Sequence, residues 1–183
     1  MGKQINYWLG YEDFLPIAQA ALDSGCIIIK SVGGKLVYGN TLDIVTKDEQ
    51  YYYFYVPEAG ELNSRQLPSG DECIGGYDSS GNVVIEANFS YRNDDKKWLS
   101  RSRLYVISGY YNDGAYISRP ESVTKVYNKL VRVVKKIAPY TELTDTYIST
   151  RDEDYLQEKE WKHKEYISPE FLELKLSQNY SLR

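Results

Sequence analysis

A chain of 183 residues with 42% hydrophobic and 26% charged side chains can fill one core and carry an appendage, so disorder throughout is excluded. The net charge is only −4, a mildly acidic balance that hides two oppositely charged stretches. No apolar run approaches the roughly 20 residues that span a bilayer. The opening Met1-Gly2-Lys3-Gln4-Ile5-Asn6 is polar and lacks an apolar signal-peptide core, so a cytoplasmic protein with no membrane partner is expected.

In chain order, the first expected element is a helix from Glu12 to Leu22. Phe14, Ile17, Ala18, Ala21 and Leu22 recur at helical spacing, and Gly25 follows as a stop. Cys26-Ile27-Ile28-Ile29 reads as a strand buried on both faces. Gly33-Gly34 turns it into a hairpin with Lys35 to Tyr38. Tyr51 to Val56 is the strongest strand of the first half, with Tyr51, Tyr53 and Tyr55 on one face and Tyr52, Phe54 and Val56 on the other. Pro57 to Asp71 reads as a polar loop. Val83 to Tyr91 and Trp98 to Ile107 read as antiparallel partners across a charged turn, with Arg103 and Tyr105 sharing a face.

After Arg119-Pro120 a long helix is expected. Val123, Val126, Tyr127, Leu130, Val134 and Ile137 form its apolar stripe, and Pro139 ends it. Beyond Tyr140 the composition turns Thr-rich and then charged. Asp152 to Tyr166 reads as a solvated helix, and Ser168-Pro169-Glu170 opens a short amphipathic segment. The expectation is an α+β fold: an antiparallel meander packed by an N-terminal helix and one long amphipathic helix. Residues 1–139 form the domain and 140–183 a charged C-terminal extension with helical character. No internal repeat stands out.

Charge is segregated along the chain. Residues 41–91 hold nine acidic against two basic side chains, and residues 92–136 hold eleven basic against four acidic. Within the long helix Lys125, Lys129, Arg132 and Lys136 line up opposite the apolar stripe. A solvated outer face explains such a stripe most simply; phosphate contact is the sharper reading. Tyrosine is the compositional outlier, at 19 residues against 4 Phe and 3 Trp. Its ring suits half-buried sheet positions and its hydroxyl suits interfaces.

Catalytic signatures are few. His163 is the only histidine, which removes paired-histidine chemistry and His-based zinc sites, and its Lys162 and Lys164 neighbours mark a solvated position. There is no G-x-S-x-G elbow, dinucleotide fingerprint or P-loop. Cys26 and Cys73 form no metal or redox spacing and read as reduced thiols. Glu160-Trp161-Lys162 and Glu173-Leu174-Lys175, with Asp152 and Asp154 upstream, resemble the carboxylate–lysine sets of metal nucleases. Such triplets also arise by chance in so charged a segment.

No cofactor or metal is expected. The leading expectation is a non-enzymatic interaction protein of the bacterial immunity or antitoxin type, which occludes a basic protein partner. Its surface would be Tyr51, Tyr53, Tyr55, Glu58, Glu61, Asp71 and Glu72, carboxylates beside aromatic anchors. The alternatives are a nucleic-acid-associated protein using Lys125, Lys129, Arg132 and Lys136, and a carboxylate-dependent metal hydrolase using the 152–162 region.

Overall fold

The computed structural model describes residues 2–57, 84–90, 92–93, 98–99, 102–142 and 164–177. Strand β1 (Lys3–Trp8) leads into helix α1 (Tyr11–Asp23), followed by β2 (Ile27–Val32), β3 (Lys35–Gly39) and, after a 3₁₀ turn, β4 (Tyr51–Tyr55). Then come β5 (Val84–Asn88), the short β6 (Arg92–Asn93) and β7 (Trp98–Leu99), β8 (Ser102–Val106), β9 (Gly109–Asn112) and β10 (Ala115–Ser118). Helix α2 (Glu121–Ile137), β11 (Tyr140–Glu142), β12 (Lys164–Ile167) and α3 (Pro169–Ser177) complete the described chain.

The fold is α+β, as the patterning predicts. One eight-stranded sheet runs β11-β12-β1-β8-β5-β4-β2-β3, and two small hairpins, β9–β10 and β6–β7, stand apart from it. Every pairing in the sheet is antiparallel except β1 with β12. Gly33 and Gly34 sit at φ +57° and +80°, the left-handed pair that a tight hairpin turn requires and that a Cβ resists.

Helices α1 and α2 pack on one face of the sheet. Phe14, Ile17, Ala18 and Ala21 of α1 and Val123, Tyr127, Leu130 and Val134 of α2 meet Tyr7, Ile28, Tyr52, Phe54, Ile85 and Leu104 in the main core. Apolar burial of this extent is the dominant stabilising term. The α2 stripe follows the predicted spacing, and its start is pinned by Arg119. That guanidinium donates to the Ile107 carbonyl at 2.7 Å and to Thr124 Oγ1 at 2.8 Å.

The structure departs from the sequence reading at both ends. Lys3–Trp8, read as a polar lead-in, is an interior strand: Tyr7 is fully buried while Gln4 and Asn6 face the other side. Asp152 to Tyr166, read as one helix, ends in a strand, because Lys164–Ile167 pairs with β1 and places Tyr166 beside Tyr7. Backbone pairing and one buried face outweigh the helical preference of Lys and Glu there. The 140–183 segment thus contributes β11 and β12 to the sheet, and α3 docks Phe171 against Trp8 and Ile167 on the face opposite α1. The strand-to-helix junctions Tyr116-Ile117-Ser118-Arg119-Pro120-Glu121 and Tyr166-Ile167-Ser168-Pro169-Glu170 resemble each other. Each places a proline where a helix begins and no N–H is needed.

Candidate functional site: a tyrosine and arginine patch on the sheet

On the side away from α1 and α2, alternate residues of the central strands share one surface. Register aligns Tyr53 with Glu86, Glu86 with Tyr105, and Tyr105 with Gln4 in a row across four strands. The neighbouring positions are Tyr51 opposite Asn88 and Asn6 opposite Arg103. These two rows bring together aromatic rings, amides, one carboxylate and one guanidinium.

Their centre is a closed polar network. Tyr51 donates its hydroxyl proton to Glu86 Oε2 at 2.9 Å. Arg103 Nη2 lies 3.3 Å from the same oxygen and 3.4 Å from the Tyr51 hydroxyl. The Arg103 backbone N–H goes to Asn88 Oδ1 at 3.0 Å, so a side chain satisfies a backbone donor of β8. Glu86 is 5% exposed, and a carboxylate so buried requires the cation and donor it has. The Arg103 guanidinium stands 5.4 Å from the Tyr105 ring centre, and Tyr51 meets Tyr53 edge-to-face at 5.4 Å. Each ring contact adds roughly 0.5–1 kcal/mol and limits side-chain motion.

Partial burial raises the Tyr51 phenol above its ordinary pKa. The Arg103 hydrogen bond opposes that shift and the Glu86 charge adds to it. Burial works against the Arg103 cation, but Tyr51, Glu86 and Tyr105 more than offset it, and the guanidinium stays charged. A phenol held neutral beside a neutralised ion pair makes a poor base or nucleophile and a good fixed hydrogen-bonding surface.

Comparison with family models, curated proteins and solved structures returns no match. The geometry therefore carries the functional reading.

The expected partner-binding residues fall into three groups. Tyr51, 38% exposed, and half-buried Tyr53 lie on the face away from α1 and α2, as the alternation predicts. Tyr55 shares their face but is 3% exposed, packed with Ile29, Leu36 and Val84, so this end of the face is covered and Tyr55, contrary to expectation, is not available to a partner. Glu58, Glu61, Asp71 and Glu72 lie outside the described residues, as do Cys73, Asp152, Asp154, the Glu160–Lys162 triplet and His163. Glu173-Leu174-Lys175 lies on α3.

The basic stripe sits on the other side of the molecule. Lys125, Lys129, Arg132 and Lys136 are all exposed on α2, whose apolar face covers the sheet. Arg103 does not extend this stripe. It points to the opposite sheet face because odd and even positions of a strand alternate, and Leu104 and Val106 of β8 take the helix side. Glu86, Arg103, Asn88 and Tyr105 are site residues that periodicity does not single out. The readable signal is Glu86 itself, an acid within the apolar run Val83-Val84-Ile85-Glu86-Ala87.

Replacing Arg103 with methionine is expected to leave Glu86 with one neutral donor and to lower stability by about 2–3 kcal/mol. This is below the 3–5 kcal/mol typical of a fully buried pair, because the Arg103 side chain is 45% exposed. Adding Glu86→Gln should recover about half of the loss, since the remaining group is neutral. Urea titration of both variants checks this; a single variant as stable as the parent would contradict it.

Proposed function

We propose that this is a non-catalytic binding protein that docks the exposed patch around Tyr51, Tyr53 and Arg103 onto a basic protein and occludes it, in the manner of a bacterial immunity protein or antitoxin. One observation carries the reading: Tyr51, Tyr53, Tyr105 and Arg103 lie together on adjacent strands, held by contacts to one another and to buried Glu86. Tyr and Arg dominate the energy of protein interfaces, and anchors already fixed before encounter lose less entropy on binding. The Glu86–Arg103 pair adds no net charge to the surface. The acidic residues of the 41–91 stretch, among them Glu58, Glu61, Asp71 and Glu72, supply the long-range attraction for a basic partner.

The test is capture of a basic protein by the immobilised chain at low and high salt. Capture should weaken as salt rises. Tyr53→Ala and Tyr51→Ala should each weaken affinity by about 30-fold, the loss of a hot-spot anchor worth roughly 2 kcal/mol. Glu58→Lys should slow association at low salt. Capture that ignores both tyrosine substitutions would end the proposal.

A further inference from the structure

The outer face of α2 has no role in docking the sheet face, and its charge pattern differs from the rest of the chain. Lys125, Lys129, Arg132 and Lys136 stand at intervals of four, three and four residues on one helix. A period of 3.6 residues places them within an arc of about 60°, along a line of about 16 Å. All are exposed.

Little opposes that line of charge. Lys125 lies 3.9 Å from Glu121 across one helical turn, with both side chains more than three-quarters exposed, a pairing too solvated to hold the ammonium. Among the described residues no carboxylate pairs with Lys129, Arg132 or Lys136. The acids of the adjacent α1 are Glu12, Asp13 and Asp23; Asp23 instead accepts a hydrogen bond from Gln19 on its own helix. Lys135 on the same turn lies 5.8 Å from the Tyr166 ring centre, which directs it away from the line.

We propose that this face of α2 binds the phosphate backbone of duplex nucleic acid without reading its sequence. Axial phosphate spacing along one strand is about 3.4 Å, so a rigid line of about 16 Å lies beside roughly five consecutive phosphates. Single strands are held mainly by stacking on aromatic rings. The aromatic residue of α2, Tyr127, is buried with its hydroxyl on the Leu104 carbonyl at 3.1 Å. The other exposed positions between Lys125 and Lys136 are Asn128 and Lys135, so contact rests on charge. The surface is separate from the tyrosine face, on the opposite side of the sheet.

The experiment is a fluorescence-anisotropy titration of the full chain with a mixed-sequence DNA duplex across a salt series. Four displaced counterions predict a slope of log K against log salt of about −3.6, a loss of roughly 150-fold between 50 and 200 mM. The double variant Lys129→Glu/Arg132→Glu should bring the slope to about −1.8 and weaken binding at least tenfold at low salt. Its circular dichroism spectrum and melting temperature should match the parent, because both positions are exposed. Tyr53→Ala should leave duplex binding unchanged, which separates this site from the sheet face. No duplex binding, binding indifferent to the double variant, stronger binding to a single strand of the same length, or retention only on phosphatidylserine vesicles would each overturn the proposal.

Discussion

Above about pH 10 this protein is expected to lose stability steeply and unfold cooperatively. Tyr7 and Tyr127 are buried, and burial drives both phenols well above their usual pKa. Each donates its hydroxyl to a backbone carbonyl of β8, Tyr7 to Arg103 and Tyr127 to Leu104, both at 3.1 Å. Burial also pushes the Cys26 thiol up to about 12, against the pull of Lys129. In every case the folded-state pKa lies above the unfolded one. The stabilisation is therefore complete at neutral pH and is lost as pH rises past the unfolded values, about 9 for the thiol and about 10 for the phenols.

Each such group contributes a slope of about 1.4 kcal/mol per pH unit. Three together give roughly 4 kcal/mol per unit between about pH 10 and 12, set against a total stability of about 5–15 kcal/mol for an ordinary domain. Tyr51 and Tyr52, also raised by burial, steepen the fall. Urea midpoints measured across this range, with the phenolate absorbance followed in parallel, check the prediction. Phenols that all titrate near 10 without loss of structure would contradict it.

Phe14→Ala is expected to cost about 3–5 kcal/mol and to lower the melting temperature by roughly 10 °C. Phe14 is fully buried, with ring centres of Phe89, Tyr52 and Phe54 at 5.4, 5.5 and 6.2 Å. The alanine leaves a cavity among three rings held by backbone pairing on β4 or beside β5, so collapse into it is limited. The effect should reach the proposed docking surface. Tyr52 and Phe54 on the inner side of β4 fix the strand that presents Tyr51 and Tyr53 outward. Loosening the inner packing should weaken partner capture even below the melting temperature. Phe14→Leu should cost less than about 1.5 kcal/mol. Thermal melts of the two variants separate cavity formation from a general intolerance of change at α1.

Where one face of an element is buried by its own residues, the pattern is legible in the sequence. Strand β4 alternates as read, with Tyr52 and Phe54 in the core and Tyr51 and Tyr53 outside. Helix α2 keeps its apolar stripe, and Pro120 and Pro139 bracket it. Strand β1 escapes because its outward residues, Gln4 and Asn6, dilute an alternation that rests on Ile5 and Tyr7. Strand β12 escapes because Lys164 and Glu165 carry a helical preference, and only the partner β1 makes them strand.

The polar network shows the same division. That Glu86 needs a partner follows from one acid within an apolar run. That the partner is Arg103, 17 positions away, follows only from the register of β5 against β8 and the phenol brought in by β4.

By itself the sequence determined the α+β class, the two helices that cover the sheet, the outward face of β4 and the basic line along α2. These depend on periodicity within single elements, which local chain geometry fixes. Only the tertiary structure decided the eight-strand order, the incorporation of β1 and β12, and the separation of the tyrosine face from the basic helix by a sheet between them. Those features depend on pairing between distant segments, whose free energy belongs to the assembled sheet and to no single stretch of residues.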